Sequence, residues 1–194
     1  SVRRHEFRDI FKEKLDLHHI PALSNVLYSE DILFPIADFY LKKERWNEAI
    51  EVYEEMETIG ALQGRGAEYY QKLGYALQKN KKYAEAIDAY LKADTLKPDN
   101  IWNNRHLAIC YRLNRNYQAA LSYYKKVEEA TPEDTNVIFH IGSCLAELGQ
   151  YEEAANYFFK LDFIESNCIK AWRGIGWCSF ISRKIRTSQE ILRK

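Results

Sequence analysis

The chain has 194 residues, of which 46% are hydrophobic and 29% are charged, a composition that suits a globular protein with a buried core. Its 28 lysines and arginines balance 28 aspartates and glutamates, so no net field draws in nucleic acid or an anionic membrane. No apolar run approaches the ~20 residues that span a bilayer, and no secretion signal opens the chain. We therefore expect a soluble, cytoplasmic chain that binds neither nucleic acid nor a membrane.

Residues 1–29 carry helical periodicity but no repeat. Phe7, Ile10, Phe11 and Leu15 are spaced as one face of a helix, and Pro21 interrupts the pattern before a second short apolar stretch. The segment is predicted to be either a helical cap on the exposed face of its neighbour in the chain or a degenerate upstream repeat. The residues do not decide between the two.

A 34-residue period begins after this segment. The stretch KNKKYAEAIDAYLKADTLKPDN is echoed one period later by LNRNYQAALSYYKKVEEATPED and again by LGQYEEAANYFFKLDFIESN. A regular period of this length indicates stacked supersecondary units. The predicted repeats span 30–63, 67–100, 101–134 and 135–168, with an incomplete fifth repeat at 169–194.

Small residues and aromatic rings recur at fixed positions of the repeat. Antiparallel helices approach closely only where side chains are small, and a bulky ring beside them fills the remaining space. The eighth position holds Ala37, Gly74, Ala108, Gly142 and Gly176, the twentieth Ala49, Ala86, Ala120 and Ala154, and the twenty-fourth Tyr53, Tyr90, Tyr124 and Phe158.

Each repeat also contains a predicted stop and start. Pro98 and Pro132 end the second helices of their repeats, and the Asp99–Asn100 and Asp134–Thr135 pairs are suited to cap the next helices. The fifth repeat has Ser188 in place of the alanine and reaches Lys194 inside its expected second helix. Because a repeat buries its face only against a neighbour, we expect the natural protein to continue.

Over roughly residues 30–194 these features resemble the tetratricopeptide repeat family. The resemblance implies an all-α fold, a right-handed superhelical solenoid of antiparallel helix pairs. It also implies a concave groove, formed by the first helix of each repeat, that binds partner proteins. The groove positions of this sequence supply the predicted binding residues Tyr75, Arg105, Arg112, Phe139, Arg173 and Trp177.

Aromatic rings and arginines of this kind are enriched at binding hot spots, and arginine pairs with carboxylates in a bidentate manner. An acidic or aromatic-anchored peptide therefore suits the groove. The alternative is that the apolar members only pack against neighbouring first helices. One subfamily binds chaperone tails through lysine, asparagine and arginine, but its lysine and asparagine positions here hold Phe34, Gln71, Asp38 and Tyr75. This argues against a chaperone-tail adaptor.

Catalytic and metal-binding patterns are missing from the sequence. It has no phosphate loop, nucleophile elbow or zinc-protease motif, and adjacent His18 and His19 would point about 100° apart on a helix. His106 and His140 lie one period apart, too distant to share a metal. We therefore expect no enzyme activity, no catalytic residue, no metal and no cofactor.

The four cysteines follow the repeat rather than a metal or redox motif. Cys110, Cys144 and Cys178 are 34 residues apart, and Cys168 lies outside that series. Equivalent residues of stacked repeats should be about 10 Å apart, too far for a disulfide. Reduced, buried thiols are predicted.

The sequence thus predicts a non-catalytic scaffold that binds a peptide or helix of an unidentified partner protein. A second hypothesis is self-assembly into a homo-oligomer through exposed terminal repeats. A third is a regulatory region of a larger protein. A chaperone of the bacterial secretion type is a minor alternative, suggested by the tyrosines of the groove.

Overall fold

A computed structural model describes residues 30–58, 60 and 64–192, and the elements in these ranges are helices without a strand. The helices predicted within residues 1–29 lie outside the described ranges. The helices are α1 (Glu30–Lys42), α2 (Trp46–Thr58), α3 (Gly66–Lys79), α4 (Tyr83–Leu96), α5 (Ile101–Leu113), α6 (Tyr117–Ala130), α7 (Thr135–Glu147), α8 (Tyr151–Ile164) and α9 (Ile169–Leu192). The predicted all-α class of packed helix pairs is confirmed. None of these helices is long and apolar enough to cross a membrane.

The chain divides into two compact units between Pro98 and Asp99. The first unit contains α1 to α4, and tyrosine rings fill its core. Tyr53, Tyr69 and Tyr90 are fully buried, and the Tyr69 hydroxyl donates a hydrogen bond to the Tyr53 carbonyl oxygen at 2.6 Å. Burial in this apolar setting raises the pKa of both Tyr53 and Tyr69 well above the usual tyrosine range.

The second unit contains α5 to α9, with a core of aliphatic side chains and two rings. Ile138, Ile141 and Leu145 on α7 are fully buried, and Tyr124 and Phe158 pack from the neighbouring second helices. These positions repeat at helical spacing, which is why α7 buries one face along its whole length.

The predicted close approach at the small eighth position is confirmed where that position is glycine in a complete repeat. A methyl group on Gly74 would lie 2.8 Å from the Tyr90 ring, and one on Gly142 would lie 2.9 Å from the Phe158 ring. Both distances are shorter than carbon atoms tolerate. The rings at the twenty-fourth position therefore occupy the space that the missing side chains leave.

The predicted helix caps also form. Asn100 accepts a hydrogen bond from the Asn103 amide, and Asp134 accepts from the amides of Asn136 and Val137, so both are N-caps. Between the two helices of each of the four complete repeats, one residue has a left-handed backbone, with φ between 55° and 78°. These residues are Glu44, Lys81, Arg115 and Gly149.

The fifth repeat differs from the expectation. Its frame places a turn at Arg183, yet α9 continues as one helix of 24 residues. A left-handed residue other than glycine costs roughly 1–2 kcal/mol, and at Glu44, Lys81 and Arg115 the packing of a second helix offsets that cost. Along α9 the local bonds favour helix instead, since the Thr187 hydroxyl donates to the Lys184 carbonyl oxygen at 2.9 Å.

The cysteines are free and buried, as predicted, with side chains at most 6% exposed. Burial raises the pKa of the Cys110 thiol to about 12 and that of Cys144 to about 11, and it raises the pKa of Cys178 as well. Since the thiolate is the reactive species, the raised pKa values of Cys110, Cys144 and Cys178 should make these thiols nearly inert in the folded protein.

This inertness gives a direct prediction. At pH 8, Ellman's reagent should modify well under one thiol per folded chain. The reason is that a pKa near 12 lowers the thiolate fraction of Cys110 roughly a thousandfold. In 6 M guanidinium chloride all four cysteines should react. Rapid modification of even one thiol in the folded chain would contradict the buried arrangement.

Candidate functional site

A cavity of about 320 Å³ lies in the second unit between α7 and α9, and α8 forms its floor. We call it the α7–α9 groove. Its walls combine aromatic rings with charged side chains. The lining residues are Phe139, Ser143, Ala146 and Glu147 on α7, Phe158 on α8, and Lys170, Arg173, Gly174 and Trp177 on α9.

The floor of the groove exists because α9 carries a glycine at the point where it crosses Phe158. A methyl group on Gly174 would lie 2.6 Å from three atoms of that ring, and Gly142 meets the opposite part of the same ring. Phe158 is therefore held between two glycines, one on α7 and one on α9. The absence of a side chain at Gly174 leaves the groove open above the ring.

The wall on α9 is exposed and basic. Lys170 and Arg173 are one turn apart and solvent-exposed, and the Lys170 ammonium lies 5.8 Å from the centre of the Phe139 ring. Trp177, one turn further along, is 58% exposed. The groove thus places a large apolar ring next to two cations, and Glu147 is the acidic member of the lining.

His140 on α7 belongs to a partly buried polar cluster with Tyr124 and Arg112. The His140 ring stacks on the Tyr124 ring, with 5.5 Å between the ring centroids. Burial, aided by the positive charges of Arg112 and Lys170, lowers the pKa of His140 to about 4. Burial raises the pKa of Tyr124 to about 12 despite the nearby Arg112 guanidinium. Arg112 and Lys170 therefore add positive potential to this part of the unit.

Arg105 is engaged within the unit. Its guanidinium lies 2.8 Å from a carboxylate oxygen of Asp134, the residue that caps α7. Burial alone would raise the Asp134 pKa, but the hydrogen bonds from Val137 and Arg105 lower it below its ordinary value. A ligand carboxylate would have to compete with Asp134 for this arginine.

The predicted site residues are therefore distributed unevenly. Phe139, Arg173 and Trp177 come together in the α7–α9 groove, whereas Arg105 and Arg112 lie on α5, one paired with Asp134 and one beside Tyr124. Tyr75 belongs to the first unit, where its ring meets Trp46 at 6.0 Å and the Lys79 ammonium at 5.3 Å. The packing alternative describes Phe139 in part, because its ring lies 6.0 Å from that of Phe158.

Six of the nine lining residues were not among the predicted binding residues: Ser143, Ala146, Glu147, Phe158, Lys170 and Gly174. Glu147 occupies the thirteenth position of its repeat, one of the groove positions, so the repeat pattern contained the signal. Phe158 was assigned to the core, and its second role as the floor follows from Gly174. The sequence contained one sign of this role. The sixth position of the fifth repeat is Gly174, whereas the two preceding repeats have His106 and His140 there.

Comparison with known families identifies three matching models, each described as tetratricopeptide repeat. They match residues 33–63, 67–100 and 112–175. None of the curated proteins matches this chain.

Several solved structures have a similar fold. MamA 41-end from Desulfovibrio magneticus RS-1 is 19% identical with a TM-score of 0.71, over 82% of this chain and 89% of that one. A crystal structure of MamA is 25% identical with a TM-score of 0.63, and the match covers 74% of this chain and 85% of that one. The first TPR of Spaghetti (RPAP3), bound to the HSP90 peptide SRMEEVD, is 22% identical with a TM-score of 0.55. The match covers 62% of this chain and 96% of that one.

Proposed function

Since this chain belongs to the tetratricopeptide repeat family, we propose that it is a non-catalytic protein-interaction scaffold whose α7–α9 groove binds an acidic, aromatic-anchored segment of a partner protein. The observation that carries the proposal is the position of exposed Trp177 beside Lys170 and Arg173 at the edge of a cavity of about 320 Å³. A ligand that covers this exposed ring beside the cavity would bury apolar surface, which favours binding.

The groove is suited to an aromatic anchor. Its floor is the Phe158 ring and its sides are Phe139 and Trp177, so an incoming ring would meet aromatic surface on three sides. Aromatic side chains bury about 150–250 Å² each, and such central anchors dominate most interfaces. Because the floor is fixed between Gly142 and Gly174, little ordering would be needed on binding.

The charges favour an acidic ligand. Lys170 and Arg173 line the groove, and Glu147 is the one carboxylate among the described lining residues. Arg112 adds positive charge near His140 on α7. A carboxylate beside the anchor ring would pair with Arg173, whose planar guanidinium accommodates two oxygens. The interaction should accordingly weaken as salt is added.

The first unit does not support the ligand of the chaperone-tail subfamily. Phe34 is 1% exposed and packs beneath the Lys72 ammonium, and Asp38 is bound to Lys72 at 2.8 Å. These positions serve the core and an ion pair rather than a peptide carboxylate. The HSP90 peptide in the Spaghetti structure is therefore not the ligand that we propose here.

A peptide series tests the proposal. Labelled ten-residue peptides with a central Phe or Trp and zero to three flanking Asp or Glu residues are titrated into the chain, and fluorescence anisotropy reports binding. Affinity should rise with the number of acidic residues, and Trp177→Ala should weaken the best peptide about thirtyfold, as expected of a hot-spot residue. Equal binding of all peptides, or no effect of Trp177→Ala, would count against the groove.

The same samples address self-assembly. Static light scattering on the wild type and on Trp177→Ala reports whether the groove is covered by a second copy. A monomer in both leaves the peptide proposal in place, whereas an oligomer that Trp177→Ala dissociates would favour the self-assembly hypothesis.

A further inference from the structure

The charged residues of the α7–α9 groove are segregated along its length. Lys170 and Arg173 belong to the first two turns of α9, whereas Glu147 is the last residue of α7. Both are first helices of their repeats, and α8 packs antiparallel between them, so α7 and α9 run in the same direction. The two cations therefore lie near the beginning of the groove, and the carboxylate lies at its end.

The contacts between the helices fix how far apart these charges are. The Lys170 ammonium lies 5.8 Å from the centre of the Phe139 ring, which places the beginning of α9 beside that residue. Further along, the Phe158 ring lies between one glycine of each helix. From Phe139 to Glu147 there are eight residues of α7, or about 12 Å of helix. Lys170 and Glu147 are separated by about the same distance along the groove.

These opposite charges do not neutralise each other. Lys170, Arg173 and Glu147 are exposed, and none of them forms an ion pair within the part of the chain that the structure describes. Each charge is therefore available to a ligand. The groove presents cations at one end, a carboxylate at the other, and the aromatic floor of Phe158 between them.

An extended peptide matches this arrangement. Residues i−2, i and i+2 of an extended segment point to the same face and together span about 13 Å. With an aromatic residue i above Phe158, an acidic residue on one side reaches Lys170 and Arg173. The residue on the other side then lies near Glu147, where a basic side chain would pair and a second carboxylate would be repelled.

We propose that the α7–α9 groove selects a charge-ordered segment of its partner, in which an aromatic anchor has Asp or Glu two residues to one side and Lys or Arg two residues to the other. Glu147 determines this selectivity. The inference rests on the proposed function, and it adds that the acidic residues of the ligand act from one side of the anchor only. Either direction of the peptide chain satisfies the rule.

Two labelled, capped peptides test the selectivity by fluorescence anisotropy, one with the sequence SESFSKS and one with the sequence SESFSES. The wild type should bind SESFSKS about three to five times more tightly, as expected for one exposed ion pair in place of a repulsion. Glu147→Lys should reverse this preference. The matched control is Glu129→Lys, at an exposed residue of α6 outside the groove lining, which changes the net charge equally and should keep the wild-type preference.

The preference between the two peptides separates this inference from the proposed function. If both peptides bind, are weakened by Trp177→Ala, and show the same preference in the wild type and in Glu147→Lys, the groove stands and its charge order is wrong. A reversal that Glu129→Lys also produces would overturn the inference, as would an oligomer that Glu147→Lys dissociates, since a second copy would then fill the groove. No binding of either peptide would count against the groove itself.

Discussion

Replacing Gly174 by alanine is expected to destabilise the second unit by about 1–3 kcal/mol, whereas the same change at Gly176 is expected to stabilise it by about 1 kcal/mol. The two glycines lie two residues apart on α9. Alanine favours the helix equally at both. The difference in the free energy of unfolding between the two alanine variants therefore measures tertiary packing alone.

The physical reason is the Phe158 ring. A methyl group on Gly174 would lie 2.6 Å from its atoms, and Phe158 cannot retreat because Gly142 meets it on the other side at 2.9 Å. Interiors are packed as densely as organic crystals, so either the ring leaves its rotamer or α9 moves away from α8. Gly176 has open space instead, and only the helix propensity of alanine is felt there.

Urea unfolding followed by far-UV circular dichroism measures both changes. Gly142→Ala is a second packed site and should also destabilise. Equal stabilities of Gly174→Ala and Gly176→Ala would show that Phe158 does not occupy the space between the glycines.

The free energy of unfolding should fall by about 1–2 kcal/mol between pH 7 and pH 4 through His140 alone, after discounting for its partial exposure. Its pKa is lowered from 6.5 to about 4 in the folded chain. The unfolded chain therefore binds a proton at a higher pH than the folded chain does. The contribution is complete above pH 6.5 and is lost as pH falls through 4.

The groups that face His140 determine why its pKa is lowered, and therefore why stability falls with pH. It is buried against the Tyr124 ring on α6, and positive charge comes from Arg112 on α5 and Lys170 on α9. Asp134 on α7 opposes them, but its effect is the smallest of the four. An imidazolium in this position would be desolvated and repelled.

Denaturation curves at pH 7.5, 6, 5 and 4 test the prediction on the wild type and on His140→Phe. In the variant, the free energy of unfolding should depend much less on pH between 6.5 and 4. The matched control is His106→Gln, at the equivalent position of the preceding repeat, which should keep the wild-type pH dependence. A His140→Phe curve with the wild-type slope would place the pH dependence elsewhere.

The sequence predicts the parts of this fold that depend on residue size at a fixed spacing. Gly74 and Gly142 meet rings, Asn100 and Asp134 cap helices, and the cysteines are buried, because each property follows from the repeat alone. The continuity of α9 could not be predicted in the same way. Whether Arg183 turns depends on the packing of a second helix, which the turn residues do not encode.

The candidate site was predictable only in part for a similar reason. The repeat pattern identifies which side chains lie on the first helices, but not which of them are already paired. Arg105 is drawn to Asp134 because the residue that caps α7 is also within its reach. The α7–α9 groove opens because one residue, Gly174, is small where the two preceding repeats carry histidine. Neither event is visible without the packing of neighbouring repeats.

Titration calorimetry of the tightest acidic peptide with wild type, Arg173→Glu and Arg115→Glu tests the central claim most directly. Arg115 is exposed in the turn between α5 and α6, so its reversal changes net charge equally without touching the α7–α9 groove. Arg173→Glu should weaken binding more than tenfold and Arg115→Glu less than about twofold. Equal losses in the two variants, or none in Arg173→Glu, would contradict recognition of an acidic peptide by this groove.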